Sequence, residues 1–443
     1  MSKPVWIALL IAFAAVAGWS VYRSIQIERL YPSDLRNRVV GARLQKDHAS
    51  PYFYTWSAGD PIRYYDPCNQ PQPGDSLVVS NITGTPFLHH LVEPVADLPQ
   101  RTISRIWLWL EWAVFAACVV IALGMAGNPM QKAMVLGGAA LFLLTEAWLS
   151  HIANGQYYLL VPFLAFLFYD RFRRPDNLLN AAVAGLCAIV LVLIRPNCII
   201  FFLPFLLVIR KYPVRYIAVF FIPVVLLSGL TLANPRERSL WMDYKKVLGD
   251  NIRLHQSLDV NAAPRDIKGY YTDWEGWHAQ DISRQHVEHP HTAHSENGNV
   301  FVLFSKITHT KTNLLILNTC AALSLLLLTG VFLWRQKQRS YDLRAIALFS
   351  FCLYMVADLF SPVWRHQYYT LQWLFPVLLA AAYYEPRQRK WFMLIGLALL
   401  LNVLNIPFVK MEHTMGEYLL LGVLIFMSYR LQASGHELRA ASH

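Results

Sequence analysis

The chain has 443 residues, 55% hydrophobic and only 15% charged, with a mean hydropathy of +0.33 and a net charge of +11. Soluble domains carry roughly 25% charged residues, so a water-soluble globule, a disordered chain and a collagen-like chain are excluded. The basic excess would suit a nucleic-acid binder, but its residues flank apolar runs, so it reports membrane orientation and no nucleic-acid partner is expected.

Apolar runs predict helices at 4–21, 106–124, 133–150, 157–170, 178–194, 198–209, 216–233, 312–334, 345–360, 369–384, 391–408 and 417–430. At about 20 residues per crossing, twelve spans use roughly 240 positions and leave about 200 for loops. The expected fold class is therefore an all-α polytopic membrane protein with about twelve transmembrane helices. The runs at 157–170 and 198–209 are short for a span. The first run follows Lys3 and reads either as a signal peptide cleaved near AAVAG or as an anchor. Its apolar stretch of about 17 residues exceeds a signal core of 7–15, which favours the anchor. Five of the six cysteines, Cys118, Cys187, Cys198, Cys320 and Cys352, lie in or beside apolar runs, and Cys68 lies in a loop, so no disulfide framework is expected.

With the N-terminus inside, the short connections place seventeen basic residues in the cytoplasm, among them Lys132, Arg171, Arg173, Arg174, Arg210, Lys211, Arg335 and Arg387. Three remain in the short outer loops: Arg195, Arg365 and Lys410. A missed helix would invert this alternation. The resulting division is a first anchor at 1–21, an extracytoplasmic loop at 22–105, helices two to seven at 106–233, a second large extracytoplasmic loop at 234–311, helices eight to twelve at 312–430 and a cytoplasmic tail at 431–443.

The first loop opens with Tyr31-Pro32-Ser33-Asp34, then Leu35, Val39, Ala42 and Leu44 at helical spacing. This predicts an interfacial helix capped by Ser33 or Asp34, with Leu35 and Val39 in the membrane surface. The second loop carries Trp241, Trp274, Trp277, His278 and the tract His286, His289, His291 and His294. Its uneven spacing around Pro290 matches no standard zinc pattern, so the tract reads as solvated or acceptor-facing and no metal is expected. The tryptophans suit the membrane interface better than a sugar face.

Ionisable side chains within spans usually face a cavity or a partner. Those singled out are Glu111, Glu146 and Asp358, all within a turn or two of the outer face. On the same side stand His151, Asn154 and Gln156, then Arg195 and Asn197, then Arg365, His366 and Gln367. A transporter needs polar groups near the midplane, so this one-sided grouping favours chemistry at the outer surface. Glu111 and Glu146, each taken alone, are equally consistent with side chains at interface depth reaching water.

Several motifs appear in a fixed order: Asp34-Leu35-Arg36 with Val40-Gly41-Ala42-Arg43-Leu44; Thr85-Pro86-Phe87-Leu88 with Glu93-Pro94-Val95 and Leu98-Pro99; Asn154-Gly155-Gln156-Tyr157-Tyr158; Arg195-Pro196; and Ser361-Pro362-Val363-Trp364-Arg365-His366. This order resembles glycosyltransferase family 87, the polyprenyl-phosphate-mannose-dependent mannosyltransferases of the GT-C type, over roughly residues 30–370. Ile82-Thr83-Gly84-Thr85-Pro86 stands in place of the family's Tyr-Pro-Pro, and Gln367 where a second histidine is common.

The resemblance implies a GT-C-type membrane enzyme of the bacterial inner membrane, with its active site on the periplasmic side. It would move a hexose, mannose above all, from a polyprenyl-phosphate donor to a glycolipid or cell-envelope glycan, without a cofactor. It also implies Asp34 as the catalytic base, against the plainer role of a helix cap; Asp60, Asp66, Asp75, Glu93 and Asp97 are weaker choices. His366 would bind donor phosphate, or orient the acceptor, as a protonated ring donating from both nitrogens; its plainer reading is an interfacial histidine held by Trp364. Arg195 and Arg365 would fork onto phosphate, or anchor helix ends at headgroups. Gln156 would offer its amide to sugar or phosphate, or cap the 157–170 helix. Glu111, Glu146, Asp358 and Trp364 are supporting candidates. No Gly-rich phosphate loop follows a strand, so no nucleotide fold is expected. Two alternatives stay open: an O-antigen ligase or polymerase, and a twelve-helix solute transporter.

Overall fold

A computed structural model describes residues 2–28, 32–52, 54, 59–64, 84–256, 299–300, 314–338, 342–361, 365–403 and 412–431. Among the described residues the regular structure is entirely helical. In chain order the first helices are α1 (Lys3–Glu28), α2 (Ser33–Lys46), α3 (Pro86–Val92), α4 (Gln100–Met125), α5 (Pro129–Leu144), α6 (Glu146–Asn154), α7 (Leu160–Phe172) and α8 (Leu178–Ile194). The two short helices α9 (Ile199–Phe202) and α10 (Leu206–Ile209) follow, then α11 (Val214–Ala233) and α12 (Pro235–Gln256). The remainder are α13 (Leu314–Gln338), α14 (Leu343–Leu359), α15 (Leu374–Ala382), α16 (Arg389–Leu400) and α17 (Glu412–Arg430), with a 3-10 segment, Gln367–Trp373, leading into α15.

Helix is present in every one of the twelve apolar runs. Among the described residues, four helices, α1, α4, α11 and α13, are each long and apolar enough to cross a membrane alone, and the α5–α6 pair, bent by 59°, makes a fifth if it is one broken span. The other apolar helices are shorter, for local reasons. Thr145 ends α5 and caps α6, its hydroxyl accepting from the Trp148 amide at 3.2 Å. The Glu146 amide leaves the α5 ladder and donates to the Asn402 carbonyl. Pro196 sets a 3-10 turn at the entry to the 198–209 run, and Pro204 divides that run into short α and 3-10 turns, because proline removes a ladder donor and crowds the preceding turn.

Aromatic packing fills the centre. Phe168 of α7 meets Phe201, Phe202 and Phe205, and Phe375 of α15 packs on Phe166 and Phe201. Buried Trp148 lies between α1 and α4, its indole N–H donating to Ser24 and its ring edge-on to Trp112 and Phe115. α1 thus runs past its predicted end at residue 21 and ties its last turns to α6. At the end assigned to the cytoplasm, Asp170 gathers Arg173 and Arg174.

Two expectations for α2 are corrected. Its N-cap position is Pro32, so Ser33 and Asp34 both lie inside the helix, past the position of a cap. Leu35 and Val39 do not face lipid: both are fully buried with Val92, Ala96 and Ile103, so α2 is packed down by α3 and the start of α4. The second loop is also helical at its start. α12 reaches the first loop through Ser50 to Asp243 (2.7 Å), Arg236 to the Gln45 carbonyl, and His90 to Glu237 (2.9 Å). Trp241 packs edge-on against Tyr244 of the same helix. Cys68, Asp66, Asp75, Trp274, Trp277, His278 and the 286–294 histidines lie outside the described residues.

Candidate active site

The residue that organises the site is Gly155. It closes α6 in the left-handed region, at φ 61° and ψ 48°, a conformation glycine adopts without strain. A Cβ on it would sit 2.6 Å from the Leu35 Cβ and 2.7 Å from the Pro32 Cβ, so the bare backbone lets the start of α2 lie directly on the turn. This approach brings Asp34 to Gln156, whose Nε2 donates to Asp34 Oδ2 in a short contact. Arg38, one turn further along α2, donates from Nη1 to the Gly155 carbonyl (2.7 Å) and from Nη2 to Gln156 Oε1 (2.6 Å). Trp107 Nε1 of α4 donates to the Gln156 carbonyl at 3.1 Å.

Gln156 therefore does not cap the following helix, which starts at Leu160 with no side-chain cap. Arg38 is missed by sequence reasoning. On a helical wheel it reads as one more arginine of a surface helix, and only the α2–α6 contact shows where it points.

An aromatic wall adjoins this triad. Tyr157 stacks on Tyr158 (4.8 Å), Tyr158 on Tyr368 (5.5 Å), and His366 on Tyr368 (5.0 Å). Arg38 lies over Tyr157, and Arg195 over both Tyr158 and Tyr369, at 4.8–5.0 Å. Tyr368 is near enough to Asp34 to feel its charge. Burial lowers the His366 imidazole to about 4, so at neutral pH it is an uncharged ring with one N–H, in place of the doubly donating cation expected.

Behind the wall lies a buried ion network. Asp358, at the end of α14, takes Arg195 on Oδ1 and Arg365 on Oδ2, both in short contacts, and Asn197 Nδ2 at 3.2 Å. Arg365 also forks onto Glu417 of α17, Nε to Oε2 at 2.9 Å and Nη2 to Oε1 at 2.7 Å. Thr370 and Trp373 donate to the same Glu417 Oε1. Arg365 is thus held by two carboxylates in the interior and does not anchor a helix end at headgroups. Arg195 keeps a buried Nε with no hydrogen-bond partner. Glu417 is missed by sequence reasoning because, as the first residue of the 417–430 run, it reads as a helix end in water.

The remaining candidates separate. Glu111 and His151 form a buried pair at 2.9 Å, with Glu111 Oε1 and His151 Nδ1 lacking partners. His151 lies on α6 itself, and its carbonyl accepts the Gln156 amide at 3.0 Å, so this pair supports the turn that carries Gln156. Glu146 is exposed and takes no part in these contacts. Glu93 holds His90, Asp60 accepts from Tyr54, and Asp97 pairs with Lys46 and Arg63, all away from the triad. Trp364 lies outside the described residues.

The order of these elements along the chain, from Thr85 past Gln156 and Arg195 to Asp358, is what comparison with known families tests. The model of glycosyltransferase family 87 matches residues 83–362, well over half of the chain. The chain belongs to glycosyltransferase family 87. Membership makes this protein a membrane glycosyltransferase, using a sugar donor and a glycan acceptor, and sets aside the solute-transporter alternative. The match covers Glu111, Gln156, Arg195 and Asp358 of this family 87 enzyme; it begins after Asp34 and ends before Arg365 and His366. No curated protein and no solved structure matches the chain.

Proposed function

We propose that this glycosyltransferase moves a hexose, mannose being the expected sugar, from a polyprenyl-phosphate donor to a lipid-linked or cell-envelope glycan. On this reading the chain crosses the bacterial inner membrane about twelve times in a GT-C-type arrangement and works at the periplasmic face. The observation that carries the proposal is the convergence on Asp34. A partly exposed carboxylate on an extramembrane helix is held by Gln156 beside an aromatic wall whose far side is lined with arginine.

The step is a single displacement. The acceptor hydroxyl oxygen attacks the anomeric carbon from the face opposite the phosphate, and its proton passes to Asp34. The bond from the anomeric carbon to the phosphate oxygen breaks, and its electron pair leaves with the phosphate. Arg195 is assigned to that developing charge because a guanidinium matches phosphate oxygens in a fork and its Nε has no protein partner. His366 contributes its single N–H to phosphate or acceptor. Arg365 stays with Asp358 and Glu417 and fixes the carboxylate that orients Arg195. Configuration at the anomeric carbon inverts.

The test is transfer by purified protein from a panel of polyprenyl-phosphate sugars to a membrane lipid extract. One donor is expected to give a product that disappears with Asp34→Asn while the variant still inserts. Full activity in that variant would remove Asp34 from the role of base. Transfer only from polyprenyl diphosphate donors would favour the ligase or polymerase alternative.

A further inference from the structure

We propose that Arg38 is a positioning residue for the transfer step, acting through Gln156 to lock the Asp34 carboxylate in the orientation of a proton acceptor. This rests on the reading of Asp34 as the base, and it moves Gln156 from a substrate contact to part of the same lock.

The argument begins with what each group can donate. A guanidinium has only donors, so the contact from Arg38 Nη2, at 2.6 Å, must fall on the oxygen of the Gln156 amide. Flipping the amide would set its NH2 against a cation. The amide nitrogen is therefore forced to face Asp34, and the carboxylate must accept. The second arm of the fork grips the Gly155 carbonyl at 2.7 Å, so the same side chain holds the turn from which Gln156 projects. Gln156 is then fixed at four points: its amide N–H on the His151 carbonyl, its carbonyl under Trp107, its side-chain oxygen on Arg38 and its side-chain nitrogen on Asp34.

The interposed amide has a chemical purpose. A guanidinium directly on a carboxylate strongly favours the ionised form and weakens it as a base. A neutral amide passes on the orientation with a smaller loss of basicity. The buried cation still has compensation, since Arg38 lies 4.8 Å over the Tyr157 ring. Among the described residues, charged or titratable groups beside this lock include Arg38 on the same helix, Tyr157 under that guanidinium, and Tyr368 of the 367–373 segment, against which His366 stacks. Gln156 donates to Asp34 from within this group.

The experiment compares wild type with Gln156→Glu and Arg38→Met, using radiolabelled polyprenyl-phosphate mannose as donor and a membrane lipid extract as acceptor. Steady-state rates are followed through the acid limb of the pH profile, and thermal melting is measured in parallel. Gln156→Glu removes the donor and sets a second carboxylate beside Asp34. Its kcat is expected to fall on the order of 100-fold, with KM for the donor unchanged and the acid limb moved to higher pH. Arg38→Met frees the amide to rotate, and the fall is about ten-fold with the limb moved the same way. A raised KM with an unmoved limb would overturn the proposal and return Gln156 to the substrate. Loss of rate and melting temperature together, with the limb unmoved, would overturn it as well. Failure of the underlying reading shows separately, as transfer retained by Asp34→Asn.

Discussion

Replacing Gly155 with alanine isolates the backbone contact that brings α2 to α6. The residue is left-handed at φ 61°, and alanine there costs about 1–2 kcal/mol. The added Cβ would lie 2.6 Å from Leu35 Cβ and 2.7 Å from Pro32 Cβ. Carbon atoms rest at about 3.5–4.0 Å, so the start of α2 must withdraw by about 1 Å. Forcing a methyl into a packed contact adds about 1–3 kcal/mol of strain. Asp34 follows Pro32 by two residues and moves with it. A displacement of this size at a reacting group costs on the order of 100-fold in rate. The assay is donor-to-acceptor transfer by the detergent-purified variant, with thermal melting measured alongside. Gly137→Ala is the control: nothing lies within 4 Å of a Cβ there, and it is inside α5, where alanine is the better helix former. Wild-type kcat in Gly155→Ala, or an equal loss in Gly137→Ala, would refute the reasoning.

Three further outcomes are expected. Glu417→Gln weakens the fork on Arg365 and leaves a buried guanidinium under-compensated, which costs about 3–5 kcal/mol; a melting temperature equal to wild type would contradict this. Burial holds His89 at about 3, far below the ordinary imidazole value of 6.5, with neither ring nitrogen partnered. The unfolded chain therefore binds the extra proton between about 6.5 and 3. Its contribution is complete above pH 6.5 and is lost as the pH falls towards 3, by up to about 1.4 kcal/mol per pH unit. Melting curves of wild type and His89→Phe across that window read the difference directly. For orientation, an impermeant thiol reagent should label Arg238→Cys from the periplasm and Lys132→Cys only after the membrane is opened, each in a background where Cys68 of the first loop and exposed Cys320 are serine. The reverse pattern would invert the topology.

How much was legible in the sequence depends on the range over which each signal acts. Apolar runs are long-range averages, and they locate the helices well: 178–194 is predicted and Leu178–Ile194 is observed. They fail at local breaks, such as the bend after Leu144, where a threonine cap and a distant carbonyl replace one ladder bond. At the site, motif order along the chain points to Asp34, Gln156, Arg195 and Arg365. It says nothing of how they pair. Arg38 and Glu417 escape because their roles exist only between helices: one needs Gly155 to admit α2, the other needs α17 beside the 367–373 segment. Leu35 and Val39 mislead for a related reason. An amphipathic stripe shows that a face is covered, without saying whether lipid or protein covers it.

The network around Arg365 also bears on how the enzyme is built. Asp358 accepts two arginines, and the second carboxylate, Glu417, arrives on the last of the described helices. While the chain is being threaded into the bilayer, every element carrying the aromatic wall and both arginines emerges before that helix. Until it docks, one carboxylate must balance two cations out of water. Docking of α17 supplies the second carboxylate, so the network around Arg365 is complete only once the last described helix is in place.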